Sequence, residues 1–216
     1  MPTINVSLLH GLYVIVDPDV ASGRSEEEIA RLAVEGGARL IQLRDKRHEK
    51  GQQLEVARRL VRVCSGPNQR LIINDHVDVG LAARADGVHL GQKDLPVAIV
   101  RRQLWRKGII GCSTNSVEEA LRAQADGADY VSVGRLFPTT SKQDTRPATL
   151  ETLRAIKAAV SLPVAAIGGI TEENLDAVLA AGADIVCVIA AVVAAPAPRE
   201  AARRLAARIA AHQAGR

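Results

Sequence analysis

Asp75 and Asp94 are the two acids of this sequence best placed to hold a divalent cation together. Each follows a short apolar run: Leu71-Ile72-Ile73 stops at Asn74-Asp75, and Val88-His89-Leu90-Gly91 leads into Asp94. Mg2+ takes hard oxygen ligands, commonly one or two carboxylates with water and a substrate phosphate filling the remaining positions. Two acids at neighbouring strand ends suit it. Helix capping is the competing role, because Asp94 precedes Leu95-Pro96 and Asp75 precedes Val77, and one residue can do both.

Other apolar runs stop at different chemistry. Leu40-Ile41-Gln42-Leu43 ends at Arg44-Asp45-Lys46, where a guanidinium that can grip phosphate oxygens in pairs is followed by a mobile ammonium. A solvated charge run is the alternative. It suits Arg47 and Lys50, whereas Gln42 lies too deep in the apolar run for it. Phe137-Pro138-Thr139-Thr140-Ser141-Lys142 lies in the longest loop and gathers hydroxyls with one lysine, a set that could close over an anion. Gly168-Gly169 and Ile189-Ala190-Ala191 follow the last two strands, where backbone N–H groups can approach a phosphate; a plain tight turn is nearly as good a reading of the glycines. Ser113 after Ile109-Ile110-Gly111-Cys112 reads as a ligand hydrogen-bonding group, with no histidine–acid pair indicated to make it a nucleophile. His89 reads as a satisfied core histidine, and Cys112 has no evident activating neighbour.

These clusters need a scaffold that repeats. Beta-branched runs at 12–16, 39–43, 70–73, 87–90, 109–112, 129–133, 163–167 and 184–188 alternate with amphipathic stretches at 25–36, 50–64, 77–84, 95–106, 116–126, 149–159, 171–181 and 198–212. That is the pattern of βα units in a parallel sheet. Ser25 with Glu28 and Ser116 with Glu119 have capping-box spacing. A weak repeat, Gly37-Ala38, Gly87-Val88, Gly127-Ala128 and Gly182-Ala183, predicts left-handed glycines that stop helices before a strand. Eight units of about 25 residues predict an α/β fold, a single (β/α)8 TIM barrel over 1–216 with a short N-terminal extension over 1–11. A doubly wound open sheet would need a glycine-rich loop after the first strand, where Asp17-Pro18-Asp19 stands instead. In a barrel the functional groups lie at the C-terminal ends of the strands, where these clusters fall.

Composition narrows the partners. The 216 residues carry a net charge of +4, a modest excess that suits a small anionic ligand better than a polymer. Only Tyr13, Tyr130, Trp105 and Phe137 are aromatic, so the stacking platform of a single-strand nucleic-acid binder is missing. Arg199, Arg203, Arg204 and Arg208 line one helix face and read as solvated. Without an evident leader or bilayer-length apolar stretch, the expectation is a soluble cytoplasmic protein with no nucleic-acid or membrane partner. Cys64, Cys112 and Cys187 suit buried thiols in a reducing compartment. Self-association into a homo-oligomer is left open.

The order of these motifs resembles the thiamine phosphate synthase family. The residues that carry it are Gln42-Leu43-Arg44-Asp45-Lys46, Ile73-Asn74-Asp75, Gly87-Val88-His89-Leu90-Gly91-Gln92-Lys93-Asp94, Gly111-Cys112-Ser113-Thr114, Phe137 through Lys142, and Ala166-Ile167-Gly168-Gly169-Ile170. The resemblance implies a barrel that joins 4-amino-5-hydroxymethyl-2-methylpyrimidine diphosphate to a thiazole phosphate, carboxylated or not, and releases pyrophosphate. It implies a pyrimidine diphosphate site on Gln42, Leu43, Arg44, Asp45, Lys46, Asn74, Ser113 and Lys142, with catalysis carried by Arg44, Lys46, Ser113 and Lys142. It places Mg2+ on Asp75 and Asp94. The thiazole phosphate falls on Thr139, Thr140, Ser141, Gly168, Gly169, Ile189 and Ala190. Ser141 stands where a second threonine is frequent and keeps the hydroxyl. Ala190 stands where serine is common, which leaves that contact to backbone N–H groups. A thiazole tautomerase of the same family and a non-catalytic phosphate-binding barrel are the other readings.

Overall fold

The computed structural model describes residues 9–139 and 146–215. Eight parallel strands close into a barrel in chain order: β1 (Gly11–Val16), β2 (Leu40–Leu43), β3 (Arg70–Asn74), β4 (Gly87–Leu90), β5 (Ile109–Thr114), β6 (Tyr130–Val133), β7 (Val164–Ile167) and β8 (Ile185–Val188). β8 returns to β1, pairing Tyr13 with Cys187 and Val14 with Val188. Gly11, expected in an extension, is already the first residue of β1.

Helices α1 (Glu26–Glu35), α2 (Lys50–Val63), α3 (Val77–Ala83), α4 (Val97–Ile99), α5 (Val117–Ala125), α6 (Leu150–Ala159), α7 (Leu175–Ala180), α8 (Ala190–Val193) and α9 (Pro198–Ala214) cover the barrel. The expected fourth helix is only one turn of α-helix continued by a π-helical turn over Val100–Leu104. α8 was not foreseen. Four residues are too few to show a helical period.

Strand alternation divides the apolar residues into two cores. Val14, Ile41, Leu71, Val88, Ile110, Val131, Val164 and Val186 point outward and pack with helix residues such as Ile29, Leu60 and Leu205. Tyr13, Ile15, Leu40, Ile72, Ile109, Tyr130, Ala165, Ile185 and Cys187 point inward and form a second cluster inside the barrel. The same parity turns Gln42, His89 and Ser113 inward, since they lie two residues from Leu40, Gly87 and Gly111.

The helix-to-strand repeat is real, but one of its members was misplaced. Gly37, Gly127 and Gly182 have φ of 98°, 95° and 99°. In each case the next residue, an alanine, donates its N–H to the carbonyl five back: Ala38 to Ala33, Ala128 to Ala123, Ala183 to Val178. This is the Schellman closure. In the β4 unit the left-handed residue is Arg84, at φ 60°, with Ala85 bonding Gly80. The repeat is therefore a left-handed residue, alanine, then a polar residue: Arg39, Asp86, Asp129 and Asp184. The three aspartates accept an N–H at the start of the preceding strand, from Leu71, Ile110 and Val164, at 2.8, 2.7 and 2.8 Å.

Gly87 instead belongs to the barrel wall, where a Cβ would lie 2.5 Å from the Ile109 carbonyl oxygen. Gly111 has a similar role. A Cβ there would stand 2.1 Å from Cζ of Tyr130 and 2.3 Å from its hydroxyl. Gly111→Ala is therefore expected to cost about 1–3 kcal/mol through overpacking, read as a fall of several degrees in Tm; an unchanged Tm would show that Tyr130 is not held against β5.

Candidate functional site

The C-terminal ends of the strands surround a cavity of about 1570 Å³. Its β1–β2 wall is built on a buried ion pair. Arg44 Nη1 donates to Asp17 Oδ2, and Asp17 is fully buried. Asp17 Oδ1 also accepts the Asp19 N–H at 3.0 Å, which fixes the turn after β1. Arg44 is thereby aimed along the cavity. Among the described residues, its Nε is the single buried side-chain polar atom without a hydrogen-bond partner. A buried charged donor left unpaired is costly, and the Arg44 side chain lines the cavity where an anion would neutralise its charge.

At the ends of β3 and β4 the two acids meet. Asp75 and Asp94 have their carboxyl groups in hydrogen-bonding contact, and Lys46 Nζ lies 2.5 Å from Asp75 Oδ2. Burial disfavours both anions. For Asp75 the hydrogen bonds from Lys46 and Asp94, with the charge of Lys46, outweigh burial and hold the carboxyl below its ordinary value. For Asp94 burial and the neighbouring Asp75 prevail over the Gly91 N–H and Lys46, and the carboxyl is pushed up. A cation bound between the two would relieve the repulsion that pushes Asp94 up. Asp75 reaches this position from a left-handed backbone, φ 61°, which aspartate tolerates better than most residues. Neither acid serves as an N-cap: His76 and Pro96 occupy those places.

A polar chain crosses the cavity floor. Gln42 Nε2 donates to Tyr13 Oη at 2.6 Å, Tyr13 Oη lies 3.1 Å from Tyr130 Oη, and Tyr130 Oη lies 2.9 Å from His89 Nδ1. His89 Nε2 then lies 2.9 Å from Ser113 Oγ. Ser113 thus has a histidine beside it. The other nitrogen of that ring meets a phenol, so the arrangement lacks the carboxylate that orients a nucleophilic triad. Burial pushes both phenols well above their usual range, keeping them neutral donors.

The opposite edge is glycine-lined. Gly168 and Gly169 have φ of 104° and 62°, and a Cβ on Gly169 would lie 2.4 Å from the Pro138 carbonyl oxygen. The loop after β6 crosses here, with Leu136 N–H on Ile167 O and Phe137 N–H on Gly168 O, both at 3.0 Å. Ile189 and Ala190 complete that edge at the start of α8, and Thr139 lines it from the loop.

The described sequence family "Thiamine monophosphate synthase" matches residues 12–192. The chain belongs to the thiamine monophosphate synthase family. It is 48% identical over 183 residues to a thiamine-phosphate synthase of Methanoculleus marisnigri, covering 84% of this chain and 87% of that one. To the thiamine-phosphate synthase of Clostridium tetani it is 44% identical over 179 residues, covering 83% and 86%. A solved thiamine phosphate pyrophosphorylase from Pyrococcus furiosus superposes with a TM-score of 0.89 at 38% identity, covering 96% of this chain and 99% of that one. A 3-hexulose-6-phosphate synthase at 20% identity, TM-score 0.70, shares the fold.

Of the residues that the likeness to the thiamine monophosphate synthase family singled out, Gln42, Arg44, Lys46, Asn74, Asp75, Asp94, Ser113, Thr139, Gly168, Gly169, Ile189 and Ala190 line the one cavity. Thr140, Ser141 and Lys142 lie outside the described residues. Two others are turned away. The Leu43 side chain packs outward against the helices, leaving only its backbone near the mouth. Asp45 is buried and organises its own loop: it accepts the N–H groups of Arg47 and His48 at 2.9 and 3.0 Å and faces His48 Nδ1 at 2.8 Å. Tyr13, Tyr130 and Asp17 are not among the candidate site residues that the sequence suggests. Strand parity could have revealed the tyrosines, since both stand at inward positions.

Burial alone would raise the Asp45 carboxyl, but the hydrogen bonds of Arg47 and His48 and the His48 ring bring it below its ordinary value. A lowered folded pKa stabilises above the unfolded value and is lost as pH falls through the folded one. Asp45→Ala is therefore expected to cost about 1–3 kcal/mol at neutral pH, and the gap in Tm from the parent should narrow in acid. Equal Tm at pH 7 would return Asp45 to a role in ligand binding.

Proposed function

We propose that this chain catalyses thiamine phosphate synthesis, joining 4-amino-5-hydroxymethyl-2-methylpyrimidine diphosphate to 4-methyl-5-(2-phosphoethyl)thiazole, or its carboxylated form, with loss of pyrophosphate. It is a transferase reading. Family membership over most of the chain supports it, and the observation that carries it is the convergence of Arg44, Lys46 and the Asp75–Asp94 pair on one cavity.

The donor set fits Mg2+. Two carboxylates held in contact beside a roomy cavity meet the preference of Mg2+ for a few acids plus water and phosphate. Bound there, the ion would supply charge neutralisation for a departing pyrophosphate.

The chain's own groups do the remaining work. Arg44 and Lys46, with Lys142 from the loop, stabilise the negative charge that gathers on the leaving group as the methylene C–O bond breaks. Gln42, Asn74 and Ser113 orient the pyrimidine. The glycine edge at Gly168-Gly169 and the backbone at Ile189-Ala190, with Thr139, Thr140 and Ser141, hold the thiazole phosphate so that its ring nitrogen faces the methylene carbon. That nitrogen forms the new C–N bond and becomes cationic as pyrophosphate leaves, so no protein nucleophile is needed. Positioning two substrates face to face accounts for much of the acceleration.

A thiazole tautomerase would leave the acid pair and Arg44 without a task, and a binding-only barrel would hold both ligands unchanged. We infer a cytoplasmic enzyme from the three free, buried cysteines, of which burial raises Cys64 to about 12 and Cys112 to about 11. None of the described helices is long and apolar enough to cross a membrane. With both substrates and Mg2+, the purified protein is expected to release pyrophosphate and thiamine phosphate in equal amounts, and EDTA to stop it. Asp94→Asn should lower turnover about 10–100-fold at fixed Mg2+, the range seen even for outer-shell losses, with partial recovery as the metal is raised. A flat response across that titration removes Asp94 from the metal.

A further inference from the structure

We propose that Gln42, Tyr13, Tyr130, His89 and Ser113 form one directional hydrogen-bond chain through the barrel, in which the orientation of the Gln42 amide sets whether the Ser113 hydroxyl donates to substrate. Tyr13, Tyr130 and His89 are then positioning residues that never need to touch the reacting atoms. This rests on the reading that the pyrimidine diphosphate lies between Gln42 and Ser113.

The geometry leaves little freedom. The chain draws one residue each from β2, β1, β6, β4 and β5, with contacts of 2.6, 3.1, 2.9 and 2.9 Å in succession. The two phenols meet edge to face with ring centroids 6.1 Å apart, and His89 stacks on Tyr130 at 5.6 Å. Tyr13 and Tyr130 are 1% and 0% exposed, so water does not compete for their hydroxyls.

A phenol has one proton and a neutral imidazole has one N–H. Once Gln42 Nε2 donates to Tyr13, the Tyr13 proton goes to Tyr130, the Tyr130 proton goes to His89 Nδ1, and the imidazole proton sits on Nε2, facing Ser113 Oγ. Ser113 is left with its own proton to offer to the cavity, while Gln42 Oε1 remains an acceptor. The two ends thus present an acceptor and a donor. That suits a ring carrying an amino donor on one edge and an acceptor atom on another.

Turning the Gln42 amide over reverses every link. Tyr13 then donates to Oε1, Tyr130 to Tyr13, His89 Nδ1–H to Tyr130, and Ser113 must spend its proton on His89 Nε2. Ser113 becomes an acceptor only. An imidazolium would send protons toward Tyr13 from both ends and break the chain. With Gln42 Nε2 facing Tyr13 Oη, the chain takes the polarity that presents the donor.

The test is the His89 tautomer, read by two-bond proton–nitrogen correlation NMR on histidine-labelled, ligand-free protein, with His89→Asn assigning the signal. The parent is expected to hold the Nε2–H form. Gln42→Glu places an acceptor against Tyr13 and should switch His89 to the Nδ1–H form three hydrogen bonds away. Tyr13→Phe and Tyr130→Phe cut the chain and should give a mixture of tautomers, and these conservative variants decide the matter should Gln42→Glu fail to fold. They should also raise KM for the pyrimidine diphosphate about fivefold, one ordinary hydrogen bond's worth, with KM for the thiazole phosphate unchanged. A parent in the Nδ1–H form, or the same single tautomer in parent and both Phe variants, overturns the chain. Coupled tautomers in a protein that releases no pyrophosphate would uphold the chain and sink the synthase reading instead.

Discussion

Closure of β8 onto β1 is the constraint from which the site follows. In an open sheet, residues at every second position share a face but fan outward; in a closed ring they converge on an axis. The pairing of Tyr13 with both Leu40 and Cys187 places that phenol near the middle of the enclosure. Tyr130 then comes from the far side to meet it. Two large rings can share that space because Gly111, beside Tyr130 in register, contributes no side chain. The wall and the polar chain inside it are therefore one packing solution.

Charge at the mouth is arranged in opposed pairs. Asp17 holds Arg44 and Lys46 holds Asp75, so a cation on β2 answers an acid on each neighbouring strand end. Neither pair is saturated. Arg44 keeps a buried Nε without an acceptor, and Asp75 lies against a second acid, Asp94, whose carboxyl is pushed up by burial and by Asp75. A fully satisfied network would be more stable and would bind nothing. The residual demand, one unpaired donor and two crowded acids, suits an anion and a cation arriving together.

Much of this was legible from residue order. Short apolar runs of strand length ending in polar clusters located all eight strands to within a residue or two, because burial on both faces of a barrel strand demands continuous apolar character. The acids, the arginine and the glycine pair were legible as strand-end residues. Asp45 was not, because an acid beside Arg44 and Lys46 in sequence points the other way once the loop turns, and only the N–H groups of Arg47 and His48 reveal its use. Gly87 misled for a similar reason. It was read as a helix stop when Arg84, a residue with no propensity signal for the left-handed region, supplies that conformation three positions earlier.

The polar chain escaped notice because its members lie far apart in sequence, and each has a bland local reading: a strand tyrosine, a core histidine, a serine after a strand. Their meaning comes from parity summed around the ring. Buried polar groups are tolerated only when every donor and acceptor is matched, and here the match runs through five strands. Replacing the set by apolar side chains would fill the same volume without specifying which way Gln42 or Ser113 faces. An apolar floor would therefore support the same barrel, but it would leave the two ligand-facing ends uncorrelated, and it is their correlation that distinguishes a binding surface for one ring orientation from a merely polar cavity.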